Sequence, residues 1–278
     1  MSDVTKHLTG SGNVVLIAGG GKVYTDIAAR FCRSEKNVEE IIASPYSKQI
    51  VEAIISSGHL AATEFDYWIF GVEGYSRVCE AQLVRKRLAS YLIKSGREEL
   101  NGKRKFEVCI PRTIETFSTV VKLQDTNGKP VNIRINSDTL LKIMSDWYDE
   151  GIKQHIPEED LRYLKPQATM FRAIIGMNTH SLYDWFKIRC CKRAQLEIRN
   201  MANQMLAICK EHAPDLFAHA GPSCIVYGYC PENDRQHPSC RGHVLPKKEV
   251  DRILQVVKEH NWTADALEEL RYQEDDLK

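Results

Sequence analysis

The apolar residues of this chain come in short runs of two different periods, and that mixture constrains the fold more than any other feature. Residues 14–18, 65–72, 106–110 and 168–177 read as strands, rich in branched and aromatic side chains. Residues 120–135 read as a hairpin around Asn127-Gly128. Elsewhere the spacing turns helical. Ile27, Ala28 and Phe31 share a face of a helix starting at Thr25, and Ile50, Val51, Ile54 and Ile55 mark a helix over 47–57 that Gly58 stops. Leu140, Met144, Tyr148 and Ile152 follow i, i+4 spacing behind a Ser137 cap. A short helix begins at Pro157, and longer ones are expected over 180–191, 193–212 and 247–260. The stretch after Gly74, with Val78, Ala81 and Val84 on one side, is helix-compatible as far as Gly96. No repeat and no long linker interrupts the chain. The expected architecture is α+β, a mixed sheet flanked by helices in a single domain over 1–212. A short Cys-containing extension follows over 213–278.

Composition narrows the function. No apolar run reaches the ~18 residues that span a bilayer, and the first residues lack the basic and apolar blocks of a secretory signal. A cytoplasmic protein with no membrane partner is expected. Thirty-eight Lys and Arg against 37 Asp and Glu leave a net charge of +1, so nothing favours nucleic acid as a partner through bulk charge. Nine cysteines, an odd number with Cys190 and Cys191 adjacent, argue for free thiols, and Cys79 and Cys209 sit where they fill core space. Gly19-Gly20-Gly21-Lys22 follows a strand, but Leu16 stands where a Walker loop needs glycine, so the triplet is read as a turn.

The chemically dense text is residues 82–97. Arg85, Lys86, Arg87, Lys94 and Arg97 surround apolar residues, and Ser95-Gly96-Arg97 joins a hydroxyl, an accessible N–H and a guanidinium. A guanidinium holds phosphate through two parallel hydrogen bonds, so the triplet suits a phosphate monoester. A second such stretch runs from Asn178 through His180, Asp184 and Arg189 to Arg199. An Arg beside an apolar helix pair is costly unless it meets an anion or an acceptor.

With those residues in view, the chain resembles the flavin-dependent thymidylate synthase family. That family's signature is Arg-His-Arg, seven residues, then Ser; Arg85-Lys86-Arg87, positions 88–94 and Ser95 fill it with one change. The similarity also takes in residues 28–32, 59–64, Ser76-Arg77, 106–111, Arg162, 178–189 and 194–199, in order across roughly 13–210. The resemblance implies FAD shared between subunits of a homotetramer, with a pyrimidine nucleotide stacked on the flavin. It also implies methylenetetrahydrofolate, the folate partner, and NADPH as co-substrates for methylation of dUMP to dTMP. On this likeness His59, Arg85, Lys86, Arg87, Leu88, Asn178, His180 and Asp184 bind the cofactor. Gln82, Lys94, Ser95, Gly96, Arg97, Arg162 and Arg189 bind the nucleotide, with Arg189 and Ser95 as the catalytic pair. Arg189 matches the arginine at the uracil ring, where a cation favours the electron-rich form of C5.

Departures from the pattern also matter. Lys86 replaces the central His, and Leu92-Ile93 replace Asn-Glu. Losing an acceptor beside a polar substrate costs about 1–3 kcal/mol. These changes leave two alternatives open: C5 methylation or hydroxymethylation of another pyrimidine nucleotide such as UMP, or a non-catalytic paralogue that binds nucleotide or flavin. Beyond the resemblance, Cys224, Cys230, Cys240 and His243 are candidate ligands of a tetrahedral zinc, though without the paired C-x2-C spacing. Reduced cysteines packed without metal are the competing expectation.

Overall fold

The computed structural model describes residues 3–95 and 105–260. Period-two alternation builds its central sheet. β2 (Asn13–Ala18), β3 (Tyr67–Ser76), β4 (Ser90–Ile93) and β8 (Met170–Asn178) lie in the order β2-β3-β8-β4, every neighbour antiparallel. Trp68, Phe70 and Val72 turn inward from β3, and Phe171, Ala173 and Ile175 do so from β8. The run expected at 65–72 therefore continues to Ser76. Gly74, at φ +80°, sits in a bulge between Glu73 and Tyr75 and leaves both Tyr75 and Ser76 buried. β1 (Asp3–Leu8), which the sequence did not disclose, pairs in parallel with β5 (Lys105–Ile110). β6 (Ser118–Gln124) and β7 (Pro130–Asn136) form the expected hairpin, with Gly128 at φ +76°.

Helices cover one face of the sheet. Before β3 lie α1 (Lys22–Phe31), α2 (Val38–Ala43), α3 (Lys48–Ser57) and a 3-10 turn over Leu60–Phe65. α4 (Arg77–Leu83) follows β3, and α5 (Arg112–Glu115) follows β5. Then come α6 (Ser137–Lys153), α7 (Glu158–Leu161), α8 (Thr179–Arg189) and α9 (Leu196–His212). Leu182, Trp185 and Phe186 of α8 and Ile198, Met201 and Met205 of α9 pack in one core with the inner sheet face. That core continues beyond residue 212 into α10 (Pro214–Phe217), where the Phe217 ring meets Trp68 edge-on at 5.3 Å. α11 (Ser223–Tyr227) and α12 (Lys247–Glu259) complete the described chain.

The opposite sheet face is open. Val15, Ile17, Leu92 and Ile174 are 51, 54, 70 and 43% exposed there.

Three expectations are corrected. The long helix to Gly96 stops at Leu83 and gives way to β4, because Tyr91 and Ile93 turn toward the core while Leu92 pairs with Ile174 across the sheet. α6 is capped by Asn136, whose Oδ1 accepts from Thr139 N at 2.9 Å, rather than by Ser137. Its buried face accordingly includes Leu141, Ser145 and Tyr148, and Leu140 is 49% exposed. α1 buries Thr25, Asp26 and Ala29 and turns Phe31 outward. The glycine triplet is irregular backbone linking β2 to α1: Gly19 lies at φ +138°, and a Cβ there would come within 2.9 Å of Trp68 Cα.

Candidate functional site

The elements carrying the basic text are anchored from inside the protein. Glu197 on α9 is 2% exposed and accepts from the Ser76 N–H at 2.8 Å, the Ser76 hydroxyl at 2.5 Å and Gln195 Nε2 at 3.3 Å. Ser76 Oγ in turn accepts from Cys79 N at 3.3 Å and caps α4. This carboxylate is satisfied by hydrogen bonds, which is what allows it to be buried. At the far end Tyr91 reaches back from β4. Its hydroxyl lies 2.9 Å from the Leu83 carbonyl and 3.0 Å from that of Lys86, closing the turn between α4 and β4. Burial pushes the Tyr91 phenol up to about 12, with Arg189 opposing, so the proton needed for this contact stays in place at neutral pH.

Three groups of polar side chains surround this scaffold. The first lines a cleft of about 1270 Å³, where Lys94 and Ser95 from the end of β4 meet Arg162, Arg172, Arg77 and Glu80. The second is built on Arg189, the last residue of α8. Its Nη2 donates to the Gln82 carbonyl at 3.2 Å and its Nη1 to Gln82 Oε1 at 3.5 Å. Burial lowers its pKa from the usual guanidinium value, and the nearby charge of Arg85 adds to the effect. Arg189 thus holds its charge partly buried, with a second cation near it.

The third group straddles α8 and the α4–β4 turn. Asp184 lies 3.0 Å from Lys187 Nζ and 3.7 Å from Lys86 Nζ, while His180 Nδ1 lies 3.1 Å from Glu64 Oε1. Burial pushes the Asp184 carboxyl up, but the Lys187 hydrogen bond and the charges of Lys187, Lys86 and His180 outweigh it and hold it low. The Glu64 contact also ties the 3-10 turn, with exposed His59 at its head, to α8. Arg85, Arg87 and Leu88 are exposed on the turn itself.

The sequence-derived site residues therefore separate within one chain. Lys94, Ser95 and Arg162 share the cleft. Gln82 and Arg189 share a contact but do not line it, with Arg85 near Arg189. Lys86, His180 and Asp184 form the ionic group. Asn178 spends its side-chain oxygen capping α8, accepting from Ser181 N at 2.8 Å. Gly96 and Arg97 lie outside the described residues.

The expected zinc ligands are not assembled. Among the described residues no group of three or more His, Cys, Asp or Glu is arranged to hold a metal ion. Cys191, Cys230 and Cys240 lie near enough to Cys224 to help raise its thiol, behind the larger effect of burial. Main-chain bonds organise this segment instead: Cys230 N donates to the Leu245 carbonyl and Lys247 N to that of Cys230, both at 2.8 Å. Gln236, 6% exposed, donates to the Val244 carbonyl at 2.8 Å.

Sequence reasoning assigned no role to Glu197, Arg77, Glu80 or Lys187. The i, i+3 spacing of Arg77 with Glu80 and of Asp184 with Lys187 was an available signal, since this spacing places opposite charges together on a helix. Glu197 gave none, because a glutamate one position from a buried Ile looks like any helix-surface residue.

Comparison with known proteins places the chain among known sequences and folds. The family model described as "Thymidylate synthase complementing protein" matches residues 20–215. The flavin-dependent thymidylate synthase of Clostridium tetani (strain Massachusetts / E88) is 37% identical over 216 residues, 74% of this chain and 84% of that relative. The enzyme of the same name from Pyrococcus furiosus is 34% identical over 215 residues, 74% of this chain and 82% of the relative. In fold, the chain is similar to the crystal structure of the UMP/dUMP methylase PolB from Streptomyces cacaoi bound with 5-Br dUMP. There the TM-score is 0.58 at 16% identity, over 76% of this chain and 95% of that one.

Proposed function

The chain belongs to the flavin-dependent thymidylate synthase family, and from that membership we infer that it methylates C5 of a pyrimidine nucleotide, converting dUMP to dTMP. It is an enzyme, and its cofactor is a flavin. FAD, with NADPH and methylenetetrahydrofolate as co-substrates, is the set that the reading requires.

The observation that carries the reading is Arg189. It is a partly buried cation near Arg85 whose guanidinium is hydrogen-bonded to the two oxygens of Gln82, a geometry suited to meeting developing negative charge. Uracil C5 is a poor nucleophile until charge builds on the ring oxygens and N3, and a guanidinium held there stabilises that charge as it develops. Gln82 fixes the direction of the guanidinium. Ser95 and Arg162, with Gly96 and Arg97, hold the phosphate, so that the ring is placed rather than merely bound.

Arg85, Arg87 and Lys86, with exposed Leu88 among them, fit a group that joins a diphosphate to a flat ring system, and His59, Asn178, His180 and Asp184 border that surface. Bound there and reduced by NADPH, the flavin would relay the one-carbon unit and pass on the reducing equivalents. Lys86 and Lys187 keep Asp184 ionised, which fixes a negative charge at the rim of the surface.

Because Ser95 and Arg162 occupy the cleft while Gln82 and Arg189 lie outside its lining, a complete site calls for more than one copy of the chain. The open sheet face supports this. Val15, Ile17, Leu92 and Ile174 are exposed on it, and it runs into the cleft through Asn13, Glu73 and Arg172, which border both. A homotetramer is the assembly proposed. Light scattering should return about four times 31.8 kDa, and Val15→Asp with Leu92→Asp should lower that mass.

The apolar pair Leu92-Ile93, with Ile93 in the cleft lining, favours a second reading: the same C5 chemistry on UMP, or a hydroxymethyl product. Both are tested together. Protein reconstituted with FAD is given NADPH, methylenetetrahydrofolate and either dUMP or UMP, and products are identified by mass. A yellow protein that yields dTMP supports the first reading, and a product only from UMP supports the second. A protein that retains no flavin and turns over neither nucleotide refutes both.

A further inference from the structure

Arg77 and Glu80 stand in the wall of the cleft outside the roles assigned above. Arg77 is the first residue of α4, and its N–H donates to the Thr169 carbonyl at 3.0 Å. Its guanidinium makes two directed contacts. Nη1 pairs with the Glu80 carboxylate, and Nη2 donates to the Lys94 carbonyl at 3.4 Å. Lys94 N also donates to the Arg172 carbonyl, at 2.9 Å. The peptide groups leading into Ser95 are thus gripped from two sides, by β8 and by α4. Both side chains of the ion pair are largely withdrawn from solvent, at 28% exposure for Arg77 and 19% for Glu80. A planar fork serves a carboxylate and a carbonyl at once, whereas a lysine ammonium, a single point of charge on a flexible stem, does not reproduce that geometry.

We propose that Arg77, oriented by Glu80, is a positioning residue that sets Lys94-Ser95 for the phosphate of a nucleoside monophosphate. The proposal rests on the reading of the cleft as the nucleotide site. It makes phosphate recognition depend on a residue tied to α4, the helix that also carries Gln82, so that the phosphate-binding and base-binding stretches are mechanically linked.

The test is calorimetric binding of dUMP and of deoxyuridine to the flavin-loaded protein. Arg77→Gln should weaken dUMP about tenfold or more while changing deoxyuridine less than about twofold. Arg77→Lys should show the same selective loss, and Glu80→Gln a smaller loss of about threefold that is again confined to dUMP. Flavin content should not change, because the Arg85 to Leu88 turn keeps its anchors at Leu83 and Tyr91. Thermal melting checks the fold, and where Arg77→Gln melts early, Arg77→Lys decides. Equal losses for both ligands, no loss, or full recovery with lysine would each overturn the proposal. Wild-type protein that binds no dUMP would remove the cleft reading itself, and the proposal with it. Normal wild-type binding with insensitive Arg77 variants removes only the proposal.

Discussion

Asp66→Asn should stabilise the protein at neutral pH and leave it unchanged in acid. Asp66 is fully buried between the 3-10 turn and β3. Its carbonyl accepts from Thr179 N at 3.0 Å, its Oδ2 from the Thr25 hydroxyl, and Oδ1 has no hydrogen-bond partner among the described residues. Burial pushes the carboxyl up from 3.8 to about 6, against the opposing effect of the Thr25 hydrogen bond. The folded protein therefore keeps a proton between pH 4 and 6 that the unfolded chain releases, and stability falls as pH rises through that window. A shift of roughly two units at about 1.4 kcal/mol each gives a penalty of about 3 kcal/mol, fully developed above pH 6. Asparagine keeps an acceptor for Thr25 and never ionises. Its buried N–H group resembles the O–H of the protonated acid, so the two should be equally stable near pH 4. Urea unfolding of both proteins from pH 4 to 8 reads the difference directly, since every other titrating group is common to both. At pH 7.5 the variant should gain about 2–3 kcal/mol, or several degrees in Tm. A gap between the two that does not change with pH would refute the account.

Other substitutions probe the site and the scaffold. Arg189→Lys should cut kcat for release of tritium from [5-³H]dUMP by about tenfold to a hundredfold, because it loses the paired contact with Gln82 and with it the fixed direction of the charge. Ile93→Glu with Lys86→His restores two features of the family pattern and should raise dTMP formation if the lost acceptor limits it; a fall would show a site rebuilt for another nucleotide. Gly19→Ala should cost at least about 2 kcal/mol in denaturant unfolding, since φ is +138° and the new Cβ would press on Trp68 Cα at 2.9 Å.

What the sequence disclosed about the fold was what local periodicity encodes. β3 and β8 announced themselves because alternate residues are buried over Trp68–Val72 and Phe171–Ile175. α3 did so through Val51, Ile54 and a Gly58 in the left-handed conformation at its end. The stretch after Gly74 misled because its apolar residues satisfy a helix as well as a short strand. The deciding interactions come from β8, more than 80 residues away, where Tyr91 pairs with Ile175 and Leu92 with Ile174. β1 was silent for the same reason, since its partner β5 lies about a hundred residues on. In α6 both Leu140 and Leu141 fit a helical spacing with Tyr148, and only the packing shows that Leu141 is the buried one.

The candidate site shows the same division between side-chain identity and position. The order of basic residues pointed to an anion and a nucleotide, and the structure puts Ser95 and Arg162 in the lining of one cleft and Gln82 beside Arg189. What spacing does not contain is the support beneath them. Glu197 acts on α4 through Ser76, Tyr91 acts on the following turn through two carbonyls, and Arg77 acts on Ser95 through Lys94. Each of these links ends on backbone or on a capping hydroxyl, and backbone groups look alike in every sequence. A guanidinium over a uracil ring is useful only within a fraction of an ångström of its place. On the proposed reading, the contacts that set the backbone beneath the site matter to turnover alongside the groups that touch the substrate, and a one-dimensional pattern does not display them.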